Sequence, residues 1–504
     1  MTLVAALLLA AGLLATGDLA LRALRWRGVG AAERLAFATV AGLVVSLLVL
    51  YLPVAATGRV LFAPLLGLHA VACAVATARL VRSARGARAL RLGPVALLAC
   101  GALVLHLDVV RARPFSNYDA KAIYGLKAKA LLHERSLETP VWQDPEVVHY
   151  HPDYPLGLPL LMAYGGWLAE GPVRDGAGHV PAGNAAEWVA RYDATEAAVP
   201  LSVLWVAAFV ALVFSRARRL RLPVPWLLAV GAVPLALVAP MDLGASWRAT
   251  PELPLALCLG VAAAALFPVT ATRSAPRDGE DGPAHRPPSR RALAVAALAA
   301  AGAVLLKNDA LFGLMALGLA TAVGVTTRGA ARLRAPAALA AGSAAGALLV
   351  GLGRRFVVDA PYDERYVDAL LGADLTSAVA RLVALPEAVA LALDDARGVP
   401  FWCFLVAIAL PVAWRAGGWA RTAAAAVAVH LALCLLVFVV TPNHVHWHVR
   451  TALVRLWSQM AGPACFVAVL ALGRLLTLGG AGAADEDTDD VGPDAGRRID
   501  PAGV

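Results

Sequence analysis

A polar stretch from Pro114 to Leu161 contains the residues best suited to chemistry in an otherwise apolar chain. Asp119 lies where a helix running to about His133 is predicted to begin, and backbone N–H groups there favour an ionised carboxylate. Such a carboxylate can accept a proton from a hydroxyl group, orient that hydroxyl, or hold a metal ion. We predict a catalytic role for Asp119; a helix cap with no further role is the alternative.

Two lysines follow on the same predicted helix. Lys127 and Lys129 are each about 80° of helical rotation from Asp119. A lysine in this position can bind a phosphate group as a point charge, or extend its stem along the lipid boundary so that only the ammonium reaches water. We predict that both bind substrate, with the second arrangement as the alternative.

A pair of histidines and a tyrosine come next, around a Pro-rich turn. Prolines at 152, 155 and 159 predict a stiff entry into a short helix. His149 and His151 could ligate a metal, but two histidines alone are weak evidence for a metal site. Binding of a sugar or phosphate by His149, His151 and Tyr154 is at least as well supported, and anchoring at the membrane interface is the remaining alternative.

Further polar groups lie at the ends of apolar runs. Glu252 lies at the mouth of one run, where an unpaired acid is unfavourable, so a catalytic role is predicted; a helix cap is the alternative. Lys307 and Asp309 lie between two runs and are predicted to bind substrate, or else to form a tight polar turn. Arg450 and Arg455 follow several histidines, and a basic, aromatic surface for a lipid-linked phosphate fits them better than a metal site. No metal ligand or cofactor is assigned, and a divalent metal ion is left open.

Composition places the chain in a membrane. Of its 504 residues, 60% are hydrophobic and 16% are charged, and the mean hydropathy is +0.69. Soluble domains have about 45–50% apolar and about 25% charged residues. Apolar runs of roughly 17–25 residues recur, the length that a helix needs to cross a bilayer, and they lack the alternation of barrel strands. The sequence predicts an all-α polytopic membrane protein with about 13 transmembrane helices.

The distribution of charge predicts the orientation. The net charge is +9, but the basic residues form short clusters between apolar runs, as in cytoplasmic loops. This pattern argues against nucleic-acid binding. All six cysteines lie in apolar runs, which favours buried side chains over a disulfide or metal framework. Counting crossings from the basic clusters places the polar groups described above on the non-cytoplasmic face.

These predictions divide the chain into six parts. They are N-terminal transmembrane helices at 1–110, an outer catalytic loop with juxtamembrane helices at 111–195, core helices at 196–352, a second outer loop with amphipathic helical pieces at 353–398, C-terminal helices at 399–477 with an outer loop at 441–459, and a disordered acidic cytoplasmic tail at 478–504. The predicted spans are 3–21, 34–54, 59–80, 93–110, 196–215, 223–240, 252–269, 290–306, 309–326, 335–352, 399–414, 422–440 and 460–477. The apolar stretch at 156–168 is too short to span, and an interfacial helix is predicted there.

The polar motifs resemble those of a known superfamily. The run YDAKAIYGLKAKALL, followed by HPDYPLGLPLL, resembles the first outer loop of bacterial membrane glycosyltransferases of the GT-C superfamily. That superfamily includes protein O-mannosyltransferases and lipid A aminoarabinose transferases. Glu252 in RATPELPLAL and the Lys307-Asn308-Asp309 junction match the second acid and the lysine–acid junction of such families. The similarity covers about 105–320 and implies a GT-C-like helical bundle with a large outer first loop.

The resemblance also implies an activity. It implies an enzyme of the inner cell membrane that moves a sugar from a polyprenyl-phosphate donor to a lipid, glycan or protein acceptor. Asp119 would be the base or would orient the acceptor, Glu252 would be a second acid near the acceptor or a metal, and lysines and arginines would hold the donor phosphate. The single acid at 119 differs from the acidic pair of some mannosyltransferases. A transporter or a non-catalytic membrane protein is the alternative, although a transporter favours polar residues at mid-membrane depth.

Overall fold

The chain is helical throughout the part that the structure describes. The computed structural model describes residues 2–26, 30–84, 123–143, 151, 154–170, 201–220, 251–267, 288–324, 332–357, 372, 375–395, 399–416, 418–441 and 443–485. The helices are α1 Thr2–Ala23, α2 Ala31–Thr57, α3 Ala63–Ala84, α4 Leu126–Glu134, α5 Pro140–Gln143, α6 Gly157–Glu170, α7 Leu201–Arg219, α8 Glu252–Leu266, α9 Arg290–Leu306, α10 Ala310–Gly324, α11 Arg334–Arg354, α12 Leu375–Asp395, α13 Val399–Ala416, α14 Gly418–Val440, α15 Val445–Ser458 and α16 Ala461–Asp485. Among these residues, extended pairing is limited to an isolated bridge between Arg59 and Ser136.

The all-α polytopic class is confirmed. In the described part of the chain, 7 helices are long and apolar enough to cross a membrane, namely α1, α2, α3, α7, α11, α12 and α14. The bent pair of α15 and α16 raises the number to 8 if it is one span. The predicted helices at 93–110 and 223–240 lie outside the described residues, and each of the other predicted spans contains a helix. The total of about 13 spans therefore stays a prediction.

Three segments differ from their predicted form. The second predicted outer loop contains α12, a helix of 21 residues that is also long and apolar enough to cross a membrane. The stretch 441–459, predicted as a loop, is largely α15, because its apolar residues recur at helical spacing and bury Val445, Val449 and Leu453. Helix α16 continues to Asp485, past the predicted boundary at 477.

Helix α8 is the centre of the bundle. Every one of its residues is buried, as is usual for a helix that is apolar all round. It packs against α2, α7, α9 and α16. The backbones of α8 and α16 are in close contact, since a Cβ atom at Gly462 would lie 2.6 Å from the Ala256 carbonyl oxygen.

Polar contacts define two ends of the bundle, which we call the Arg216 end and the Glu252 end. Arg216 donates to the Ala264 carbonyl oxygen at 2.8 Å and pairs with Glu33, which joins the end of α7, the end of α8 and the start of α2. Arg219 also pairs with Glu33. Glu252 begins α8 at the other end. Helices α7 and α8 thus run from the Glu252 end to the Arg216 end, and α2 runs the opposite way.

Candidate active site

A buried ion cluster joins three helix ends. Lys307 Nζ lies 3.0 Å from Glu252 Oε1 and 3.1 Å from Asp309 Oδ2. Lys307 and Glu252 are 5% and 2% exposed, whereas the Asp309 side chain is 34% exposed. The cluster therefore extends from the interior of the bundle to its surface.

Local sequence places these charges at favourable ends of the helices. Glu252 is the first residue of α8, after Pro251, and Lys307 follows the last residue of α9 in an extended conformation. A carboxylate at a helix start and an ammonium at a helix end are both stabilised by the helix dipole. The turn at Asn308 and Asp309 then begins α10. The ends of α8, α9 and α10 thus bring Glu252 together with Lys307 and Asp309, which lie 55 and more positions further along the chain.

Burial and charge fix the protonation of two groups at this site. Burial alone would lower the pKa of Lys307, but the carboxylates of Glu252 and Asp309 outweigh it and hold that pKa well above its usual range. Lys307 therefore stays charged. Burial raises the pKa of Tyr124 well above its usual range, so its phenol remains a hydrogen-bond donor. The ring of Tyr124 lies 6.5 Å from that of Tyr154, measured between centroids.

One oxygen of Glu252 is left for another group. Oε1 accepts from Lys307. Oε2 is buried and accepts no hydrogen bond from any residue that the structure describes. Because buried polar atoms in proteins are rarely left without a partner, Oε2 is positioned to accept a hydrogen bond from a water molecule or a ligand.

The turn before α6 lies against the cluster because its backbone packs directly on α9. A Cβ atom at Gly157 would lie 2.2 Å from the Leu305 carbonyl oxygen, so only glycine permits this approach. The Leu156 N–H donates to the Tyr51 hydroxyl oxygen, which fixes the same turn to α2. Tyr154 is thereby held within electrostatic range of Lys307.

The two predicted lysines are buried rather than extended along lipid. Lys127 Nζ donates to the carbonyl oxygens of His151 and Tyr154, the latter at 3.2 Å, and lies 5.7 Å from the centre of the Tyr154 ring. Lys127 therefore holds the turn before α6. Lys129 is 2% exposed and lies on the same helix, α4. The ring of His151 stacks on Tyr154 with centroids 4.9 Å apart.

The remaining predicted residues are placed less fully. Asp119 and His149 lie outside the described residues, so their predicted roles stay predictions. Arg450 is exposed on α15, and Arg455 Nε donates to the Thr451 carbonyl oxygen at 3.1 Å on the same helix. Within the described part of the chain, no group of three or more His, Cys, Asp or Glu side chains is placed to hold a metal ion.

Sequence reasoning assigned no role to two buried polar residues near the Glu252 end. Tyr124 lies one turn before Lys127, and this spacing could have indicated a shared helix face. Gln459 is fully buried between α15 and α16, and neither of its amide atoms has a hydrogen-bond partner among the described residues. The run from Arg455 to Gln459 carries a weaker part of the motif resemblance, and that run was its only signal in the sequence.

No protein-family model, curated protein or solved structure matches this chain.

Proposed function

We propose that this protein is a membrane glycosyltransferase that moves a sugar from a polyprenyl-phosphate donor to a lipid, glycan or protein acceptor on the non-cytoplasmic face. The observation that carries the proposal is the buried Glu252–Lys307–Asp309 cluster, in which one carboxylate oxygen of Glu252 is unused. Buried ions inside a membrane protein are unfavourable and usually functional.

The position of the cluster supports an enzyme that acts on lipid-borne substrates. Glu252 is the first residue of α8. Lys307 comes just after the last residue of α9, and Asp309 comes just before the first residue of α10. Charges at helix ends lie near the level of the lipid headgroups, where the phosphate of a polyprenyl donor is found. A chain that carries solutes across the bilayer favours such groups at mid-helix.

The orientation is supported by the opposite end of the bundle. Arg22, Arg216, Arg218 and Arg219 all lie in the last turns of α1 and α7. Arginines concentrate on the cytoplasmic side of membrane proteins. The Glu252 end is then the non-cytoplasmic end, as expected for an enzyme that uses polyprenyl-linked sugars.

Roles follow from chemistry. Asp119 would accept the proton of the acceptor hydroxyl as that oxygen attacks the anomeric carbon, while the donor phosphate leaves. Glu252 would bind a substrate hydroxyl through Oε2. Lys307, which stays charged, would hold Glu252 in place and lower the energy of the departing phosphate. Lys129, Arg450 and Arg455 would supply further positive charge to that phosphate.

One observation favours a transporter as the second candidate. Helices α15 and α16 form a pair bent by 59°, and broken spans of this kind line substrate sites in many transporters. A transporter would move solute without cleaving a phosphate–sugar bond, so a chemical assay separates the two candidates.

The test is sugar transfer by protein in lipid nanodiscs, with undecaprenyl phosphate carrying mannose, glucose or 4-amino-4-deoxyarabinose as donor and a lipid extract of a deletion strain as acceptor. Asp119→Asn and Glu252→Gln are expected to abolish release of undecaprenyl phosphate while the protein stays folded in the membrane. Glu138→Gln, which changes an exposed acid of the same outer segment, is the matched control. Full activity of Asp119→Asn would remove its assignment as the base.

A further inference from the structure

Gln459 is a buried amide in an unexpected place. It lies at the break between α15 and α16 and is 0% exposed. Its Oε1 and Nε2 atoms are both buried and both lack hydrogen-bond partners among the described residues. A leucine or methionine would fill this position without leaving polar atoms unpaired, so the amide is retained at a loss of stability.

Contacts on either side of Gln459 place it near the level of the ion cluster. The Met460 sulfur lies 3.4 Å from where a Cβ atom of Gly313 would be, one turn into α10 from Asp309. Gly462 lies against Ala256, one turn into α8 from Glu252.

The direction of α16 shows which end of the bundle Gln459 is nearer to. Gly473 of α16 packs against Leu220, at the Arg216 end of the bundle. Helices α8 and α16 therefore run in the same direction. Gln459, three residues before Gly462, is thus nearer to the Glu252 end than Gly462 is.

The two residues offer complementary hydrogen bonds. Glu252 Oε2 can only accept, whereas the amide of Gln459 has two donors and one acceptor. A hydroxyl group both donates and accepts, so adjacent hydroxyls of a sugar match this set. A cation is a poorer match, because Lys307 Nζ already lies 3.0 Å from Glu252 and repels a second positive charge.

We infer that Gln459 and Glu252 Oε2 form a subsite that binds hydroxyl groups of the transferred sugar, with Gln459 as a specificity-determining residue. This inference rests on the proposed function, since it names how the same site would distinguish the sugar from its lipid carrier. The bound sugar would then supply hydrogen-bond partners to the amide of Gln459.

The experiment measures thermal unfolding in nanodiscs with undecaprenyl phosphate, bare or carrying mannose or glucose. For the wild-type protein, the sugar-bearing lipid is expected to raise the unfolding midpoint above that with bare lipid. In Gln459→Met and Gln459→Leu, this sugar-dependent increment is expected to disappear, whereas the response to bare lipid remains. Without lipid, their midpoints are expected to equal or exceed the wild-type value.

Gln143→Met is the matched control, because the Gln143 amide donates to the Leu137 and Phe356 carbonyl oxygens. Its midpoint is expected to fall and its sugar-dependent increment to stay. The inference is overturned if either Gln459 variant keeps the increment, if both variants lose the two lipid responses together, or if the wild type shows no increment. The proposed function fails separately if the wild-type protein shows the sugar-dependent increment but transfers no sugar.

Discussion

Lys307 Nζ lies 3.0 Å from Glu252 Oε1, and this ion pair connects the end of α9 to the start of α8 across 55 positions of sequence. Both partners are buried, and Asp309 continues the pair toward the surface. The contact fixes the relative height of two central helices and supplies the charge of the proposed site. Its effects on stability and on activity can therefore be separated by choosing which partner is changed.

Lys307→Met is expected to destabilise the protein by about 3–5 kcal/mol, since it leaves the Glu252 carboxylate buried without its partner. The double variant Lys307→Met/Glu252→Gln is expected to recover most of that loss and to remain inactive. Thermal unfolding and sugar transfer measured on the same nanodiscs check this. Arg22→Ala, which breaks an exposed pair with Asp18, is the control and is expected to change stability by less than about 1 kcal/mol. Equal stability of the single and double variants would contradict the pairing.

Gly157→Ala is expected to abolish transfer while the helix content is unchanged. The added methyl group would lie 2.2 Å from the Leu305 carbonyl oxygen, so α6 must move away from α9 and carry Tyr154 from the cluster. Gly318→Ala, on α10, meets no atom within 4 Å and is the matched control. Transfer rates and circular dichroism of the two variants measure the effect. Wild-type rates for Gly157→Ala would show that the close approach is unnecessary.

His133 on α4 is expected to make the protein less stable in mild acid. Burial, together with the charges of Lys129 and Arg135, holds the pKa of His133 below its ordinary value of about 6.5. Below that pH the unfolded chain binds a proton that the folded chain does not, so stability falls as the pH decreases toward the folded pKa. His133→Gln is expected to flatten the fall in unfolding midpoint as the pH decreases below about 6.5. An unchanged slope would count against this assignment.

The Arg216 end is expected to serve stability and not catalysis. Arg216 is only 3% exposed, and Glu33→Gln removes the carboxylate that pairs with it. Arg216 still donates to the carbonyl oxygen of Ala264. The unfolding midpoint should fall, whereas KM for the sugar-bearing lipid should be unchanged in the protein that remains folded. Steady-state kinetics of Glu33→Gln beside Glu252→Gln make the comparison. A changed KM for Glu33→Gln would link the two ends functionally.

The two ends of the bundle are expected on opposite sides of the membrane. In a background without other cysteines, a membrane-impermeant maleimide added to intact spheroplasts should label Asp309→Cys. Arg218→Cys, at an exposed position of α7, should be labelled only after the membrane is permeabilised. Labelling of both from outside would reverse or abolish the proposed orientation.

The sequence was sufficient for the class and for most helix positions, because a helix in lipid must be apolar over its whole length. It was also sufficient to select Glu252, Lys307 and Asp309, since charges at the ends of apolar runs are easily seen. It could not show that these three meet, because hydropathy gives the order of helices and not their neighbours. The approach of Gly157 to Leu305 depends on backbone packing, which leaves no periodic pattern in the residues.

Gln459 and α15 illustrate the other limit. The alternate histidines at 444, 446 and 448 do not indicate whether this segment is a loop or a helix. The apolar residues of α15 recur at helical spacing, and they are the residues that predict the helix. The weak resemblance of the run from Arg455 to Gln459 gives the amide no role, and its burial and its unpaired atoms single it out. Burial is a property of the assembled bundle, so it cannot be derived from one segment.

Helix α8 is shorter than the hydrocarbon interior of a bilayer is thick. Its 15 residues extend about 22 Å at 1.5 Å per residue, whereas the oily interior of a bilayer is about 30 Å thick. The Glu252–Lys307 ion pair at its start and the hydrogen bond from Arg216 to the Ala264 carbonyl oxygen near its end hold α8 at one depth among the surrounding helices. Because other helices enclose α8, its short length leaves the Glu252 carboxylate below the bilayer surface, and a lipid-borne substrate would have to enter the bundle to reach it.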